Sequence, residues 1–354
     1  MRSLTLALVA CALLTSPASP QAAKPLVPGT APKGAVASTQ AAPPESLTAK
    51  KQVFVLPLDG MVGVGLRHEE MEEVEKIADK FGPGQVIVLR INSNGGLVIE
   101  GDKISDSLMR IKNKHRLVAW IEKAISGGAF TALHADEIYF MPEAALGSIT
   151  MLSGRTEVVA VREDWKERVA QVCAMGGRDP LIGPAMVHSE VELSYDKEGD
   201  KVTFYGDYKH TYKLSSNEEN LDFSAKSAEH CGFSEGTATT EPELFAALGV
   251  DDSARFQIND AGKTVAAKWQ KLIKGAHAEV PLLLQKRAIE GSSRGGVQYL
   301  QARIRNTQKI IDWFKKAKPV LLYELNVPDQ AIEQFEMEIV EMRKAIKEMQ
   351  AANR

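Results

Sequence analysis

Two short stretches of the chain carry groups suited to acyl chemistry. Ser126 lies in Ala124-Ile-Ser-Gly-Gly-Ala-Phe130, and one apolar run earlier the chain reads Ile91-Asn-Ser-Asn-Gly-Gly96. Each glycine pair follows a strand-like run and opens a helical pattern. Glycine there allows unusual backbone angles and lets backbone N–H groups face a ligand at a helix start. A serine hydroxyl between two such donors supplies what acyl transfer requires, a nucleophile and fixed hydrogen bonds for the oxyanion. A serine at this place also serves as an ordinary helix N-cap, so it is the pairing of the two motifs that points to chemistry.

The elements that must hold these stretches alternate. Gln52–Leu58 reads as a strand, His68–Lys80 as an amphipathic helix, and Gln85–Ile91 as a continuous apolar strand of the kind covered on both faces. A helix follows over 97–112, then a strand over Arg116–Ile121, a helix from Ser126, and a strand over Glu137–Met141. This rhythm predicts βαβ units and a mostly parallel sheet, with ligands beyond the carboxyl ends of the strands. The alternating stretch Glu190–Lys213 predicts a β-hairpin insertion, bounded at about 190–215.

From Gly262 onward the pattern is helical and charged. Ile332, Phe335, Ile339, Met342, Ile346 and Met349 form a heptad seam, and Val297, Leu300, Ile304, Ile311 and Phe314 a second, less complete stripe, with Pro319 and Pro328 between them. The expected form is a coiled-coil-like hairpin with some oligomerisation.

Among 354 residues, 43 Lys+Arg stand against 46 Asp+Glu, for a formal net charge of -3. That balance argues against nucleic acid as a partner, which needs a concentrated basic surface. Met1 and Arg2 precede the apolar run Leu4–Leu14, and small residues follow at Ser16 and Ala18, the layout of a secretory signal peptide over 1–18. Export to the periplasm or exterior follows, with a lipid anchor at Cys11 as the minor alternative. Residues 19–50 are rich in Pro and Ala and predict a disordered linker. The mature cysteines are then Cys173 and Cys231, for which an oxidising compartment leaves bridged and free forms both open.

Ile91-Asn-Ser-Asn-Gly-Gly96, Ile125-Ser-Gly-Gly-Ala-Phe130, Ala135-Asp-Glu-Ile-Tyr139 and Leu146-Gly-Ser-Ile149 resemble, in order and spacing, the ClpP/crotonase-fold serine proteases. The similarity is to signal peptide peptidase A and to the N-terminal protease domain of the NfeD (nodulation efficiency protein D) group. It continues through Gly177-Arg-Asp179 and Ser224-Ala-Lys-Ser-Ala228, and covers about 52–250. The resemblance implies an α/β, ClpP/crotonase-like domain of repeated ββα units over 51–251, with a helical extension over 262–354. It implies Ser126 as nucleophile and the N–H groups of Gly96 and Gly127 as oxyanion hole. A peptide or protein substrate, a homo-oligomer and a membrane-associated envelope partner go with it, and neither cofactor nor metal.

The general base is where this chain departs from the pattern. The resembled families use a Ser-Lys dyad, and counting back along the helix with Val169, Val172 and Met175 puts Ala160 at the lysine position. A methyl group accepts no proton. Lys166, 40 residues after Ser126, is the candidate base by spacing from the serine, and Lys123 is another. The position of a ClpP-type histidine falls near Ile149 and Thr150, while His134 and His188 lie elsewhere. Two readings stay open: an exported serine endopeptidase with a non-standard base, or an inactive protein of the same fold that binds peptides or partners. Acyl-CoA chemistry, as on the crotonase branch, fits less well with export. No apolar run after the leader is long enough to cross a bilayer.

Overall fold

The computed structural model describes residues 50–290 and 296–352; the expected leader, Cys11 and all but the end of the linker lie outside the described residues. The first half of the sheet is built from β1 (Lys51–Asp59), α1 (His68–Ala78), β2 (Val86–Ser93), α2 (Gly101–Lys112), β3 (Arg116–Ile125), α3 (Gly127–Ala132), β4 (Glu137–Phe140) and β5 (Ala145–Gly147). β1, β2, β3 and β4 pair in parallel, as the alternation requires.

Side-chain alternation along these strands explains their continuous apolarity. Phe54, Leu56, Ile87, Leu89, Leu117 and Ala119 face a core shared with Met71 and Val74 of α1 and Ile104 and Leu108 of α2. The intervening Val53, Val55, Val86, Val88, Val118 and Trp120 face a second layer. Both faces are therefore dry, and a one-residue slip would exchange the two cores without exposing either.

Beyond β5 come a two-stranded ribbon, β6 (Leu152–Ser153) and β7 (Thr156–Glu157), then α4 (Arg162–Met175) and α5 (Ile182–Val187). The expected insertion is a small antiparallel sheet of β8 (Ser194–Glu198), β9 (Lys201–Tyr205) and β10 (Tyr212–Lys213), turning at Gly199 with φ 61°. β11 (Asp222–Ser224) joins β5 in antiparallel fashion, and α6 (Ala225–His230) and β12 (Gly236–Thr237) lead to α7 (Glu241–Leu248), whose Leu244, Phe245 and Leu248 cover the second layer.

The sheet extends past the boundary expected at 251, because β13 (Phe256–Asn259) pairs in parallel with β1 at the edge. α8 (Ala261–Glu290) follows at once and lies on the sheet: a Cβ on Gly262 would come 2.4 Å from the Val55 carbonyl oxygen. Trp269 Nε1 donates to Val64 O at 2.7 Å, and the Arg67 guanidinium stacks on the indole 3.5 Å from its centroid. α8 thus fastens the helical extension to the loop between β1 and α1.

α9 (Val297–Lys316) and α10 (Asp329–Ala352) complete the extension. Ile332, Phe335, Ile339 and Met342 of the heptad seam pack with Val280 and Leu283 of α8 and Ile310, Ile311 and Phe314 of α9. The seam therefore finds its partner within its own chain over that span, while Met349 stays 40% exposed. Cys173 and Cys231 are free and buried, so they form no bridge, and burial pushes their thiols up to about 12 and about 11.

Candidate active site

The site lies where β1, β2, β3 and β5 end. Ser126 has φ 55° and ψ -119°, outside the regions ordinary L residues favour. Strain of this kind costs about 1–3 kcal/mol and persists only when surrounding bonds over-determine it. Here Ser126 N–H donates to Gly147 O at 2.9 Å, and Ser126 O accepts from Phe130 N–H at 2.9 Å. The serine is thereby fixed between β5 and the start of α3.

Close approach of neighbouring groups accounts for Gly95, Gly96 and Gly127. Gly95 has φ 94°, and a Cβ on it would lie 2.6 Å from Ser126 Cβ. A Cβ on Gly96 would lie 2.4 Å from Val62 O, and one on Gly127 would press Val62 Cγ2 at 3.0 Å. Val62 bridges to this turn through Val62 N–H to Gly95 O (2.9 Å) and Leu97 N–H to Val62 O (3.0 Å). That bridge leaves Gly96 N–H out of the ladder, whereas Gly95 N–H is taken by Ser93 Oγ at 3.1 Å. Gly127 is the first residue of α3, so its N–H has no intrahelical acceptor. Gly96 and Gly127 therefore flank Ser126 with N–H groups that the local secondary structure leaves unused.

Beside the serine is a narrow slot of about 30 Å³, room for little more than one small group. Leu97, Val98, Ile104, Phe130, Met151 and Trp165 form its apolar walls. Phe130 and Trp165 stack with centroids 5.4 Å apart, and Trp165 Nε1 donates to Ile149 O at 2.6 Å, which ties α4 to the end of β5. Thr150, near the place of a ClpP-type histidine, reaches the slot, but its hydroxyl donates to Val187 O at 2.7 Å and accepts from Asn220.

The structure brings none of the candidate bases to this slot. Lys166 is ion-paired with Glu163 at 2.8 Å and is absent from the slot walls. Ala160 is exposed in the turn Val159–Val161, and Lys123 is exposed on β3. His188 pairs with Glu190 at 3.4 Å. His134 is fully buried behind Phe130: its Nδ1 donates to Phe130 O (2.9 Å), so Nε2 accepts from Ser105 Oγ (2.8 Å). Burial drives its pKa down to about 4, which keeps it neutral. Among the described residues, no Lys, His, Asp or Glu lines the slot, and Ser126 Oγ has no hydrogen-bond partner.

His68, Glu69 and Glu100 form a group able to converge on a cation, and none of the three lines the slot. Glu100 is already engaged by the His68 ring and by Lys103 at 3.5 Å. Sequence reasoning gave Gly95 only as half of a glycine pair and passed over Val62 and Trp165. The signal for the first two was the density of glycine in Gly60–Gly65 opposite Gly95-Gly96, which marks backbones in contact.

The fold is a mostly parallel α/β sheet that holds a strained serine at a strand-to-helix turn. Residues 52–258 match the family described as NfeD1b, N-terminal domain, and the chain belongs to that family. The membrane protein NfeD1b of Bacillus subtilis (strain 168) is 25% identical over 240 residues, 66% of this chain and 49% of the relative. A probable protease SohB of Buchnera aphidicola subsp. Acyrthosiphon pisum (strain APS) is 37% identical over 106 residues, 28% of this chain and 30% of the relative. The chain thus spans about half the length of the first relative and less of the second. Among solved structures, the 1510-N membrane protease specific for a stomatin homolog from Pyrococcus horikoshii is 14% identical with a TM-score of 0.39, over 60% of this chain and 92% of that one. ClpP1 from Listeria monocytogenes is 18% identical with a TM-score of 0.36, over 54% of this chain and 94% of that one. No helix among the described residues is long and apolar enough to cross a membrane.

Proposed function

We propose that this chain binds peptide segments at the Ser126 cleft without hydrolysing them. The observation that carries this reading is the slot itself: its walls hold no titratable side chain among the described residues. General-base assistance contributes about 10²–10⁴-fold to such reactions, and a serine hydroxyl without it is a weak nucleophile. The unused N–H groups of Gly96 and Gly127 then serve as donors to a bound peptide carbonyl. Export, a homo-oligomer and a membrane-associated envelope partner remain parts of this reading, tested by cell fractionation and cross-linking.

A second reading is supported by the strained backbone of Ser126. In it the chain is a serine endopeptidase with Ser126 as nucleophile, Gly96 and Gly127 as oxyanion hole, and Lys166 recruited as base after its pair with Glu163 opens. One experiment separates the two. The purified chain is incubated with a fluorophosphonate probe and with fluorogenic peptides, beside Ser126→Ala and Lys166→Ala. Peptide binding that survives Ser126→Ala, with no turnover, supports the first reading. Turnover abolished by Ser126→Ala and by Lys166→Ala establishes the second.

A further inference from the structure

Next to the slot at Ser126 is a larger groove of about 370 Å³, lined by the α/β body and the helical extension. Leu97 belongs to both, so slot and groove lie next to each other across that side chain. The groove's walls are unlike those of the slot: five cationic side chains stand against two carboxylates. Arg67 is committed to Glu70, Lys103 reaches Glu100 at 3.5 Å, and Lys318 pairs with Asp329 at 2.6 Å. Lys315 and Lys316, in the last turn of α9, are exposed and have no carboxylate partner among the described residues. Two positive charges without a carboxylate partner therefore line the groove beside the apolar slot, Lys316 also lying 5.9 Å from the centroid of the Trp313 ring.

A second neighbour of the slot is different in sign. There the slot meets a groove of about 340 Å³ that includes Asp102 and Asp164 together with Arg168, which pairs with Asp102 at 3.2 Å. Asp164 is left without a cationic partner among the described residues. Between the two grooves runs an apolar rim, with Val98 48% and Ile99 71% exposed. A track that is basic at one end, apolar at its centre and mildly acidic at the other end suits an occupant of complementary polarity.

We infer that the cleft binds a protein segment in which an apolar residue seated beside Ser126 is flanked on one side by acidic residues held by Lys315 and Lys316. This rests on the peptide-binding reading and adds the substrate class and the charge of one flank. It also gives the helical extension a role, since α9 carries the two lysines to the edge of the cleft. Exposed charge pairs are individually weak and screened by salt, so their effect is selection between peptides more than raw affinity.

Fluorescence anisotropy on the full chain tests it with labelled peptides that share a Leu-Ala-Leu core. One carries Glu-Glu-Glu on the carboxyl side, one carries it on the amino side, and one has Gln-Gln-Gln in its place. One acidic peptide is expected to bind about 3- to 10-fold tighter than the Gln peptide at low salt, with the advantage fading as ionic strength rises. Lys315→Gln combined with Lys316→Gln should remove that advantage and leave the Gln peptide unchanged. These two side chains are exposed, so the fold should survive their replacement. Equal affinity for all three peptides overturns the charge assignment while leaving peptide binding intact. No binding of any peptide sinks the parent reading and this one together. Lysine-dependent binding to phosphatidylcholine–phosphatidylglycerol vesicles, with no preference among the peptides, would assign the two lysines to a lipid surface instead.

Discussion

Gly95 sits against Ser126 so closely that a Cβ added to it would lie 2.9 Å from the serine hydroxyl oxygen and 2.6 Å from its Cβ. The two residues follow different strands, β2 and β3, so the strained serine turn depends on a bare backbone in the neighbouring turn. The absence of a side chain at Gly95 is as much a part of the site as the hydroxyl.

Gly95→Ala should therefore destabilise the chain and displace Ser126. The added methyl meets backbone and a short side chain, and φ 94° is unfavourable for alanine. A cost of about 1–3 kcal/mol is expected, read as a lower midpoint in urea unfolding together with weakened peptide binding. Unchanged stability and binding would show that the turn gives way freely.

His134 should impose a pH dependence on stability. Its folded pKa of about 4 lies below the ordinary 6.5, so the unfolded chain takes up a proton that the folded chain refuses. Its stabilising contribution is complete above about pH 6.5 and is lost as the pH falls toward 4, amounting to about 2 kcal/mol between pH 7 and pH 5. Urea unfolding at those two pH values, compared with His134→Gln, measures it: the variant should show the shallower slope.

Cys173 and Cys231 should be silent in the folded protein. Burial holds Cys173 up to about 12 and Cys231 up to about 11, so neither forms appreciable thiolate at pH 8. Ellman's reagent should label Cys173 and Cys231 only after denaturant is added. Rapid reaction of the native protein would place a thiol at the surface.

Trp269→Ala should loosen the site from a distance. Trp269 is 7% exposed, hydrogen-bonds Val64 O and supports the Arg67 guanidinium, and the loop it holds also carries Val62, which bridges to Gly96. A loss of about 3–5 kcal/mol is expected from a large buried truncation. Thermal unfolding reads that loss, and peptide affinity measured well below the midpoint reads the coupling. Affinity unchanged in the folded variant would separate α8 from the cleft.

The periodicity of the sequence was enough for the parallel sheet, because strands covered on both faces must be apolar throughout and the helices between them must carry one apolar stripe. Phe54, Leu56, Ile87 and Leu89 on one face and Val53, Val55, Val86 and Val88 on the other follow directly from that rule. The edge strand β13 was missed because Phe256–Asn259 is short and half exposed, with little pattern to display. The partner of the α10 seam was open for a different reason: a stripe shows that a helix packs, never on what.

At the candidate site, residue types and spacing alone determined that Ser126 and the two glycine pairs stand at strand-to-helix turns, since local backbone preference is written in neighbouring residues. Which groups approach the serine was decided by the tertiary structure. Gly95 and Val62 reach it across strands, Trp165 arrives from α4 to wall the slot, and Lys166 turns to Glu163. Distances between side chains on different elements depend on how whole helices and strands pack, and no count along one chain contains them.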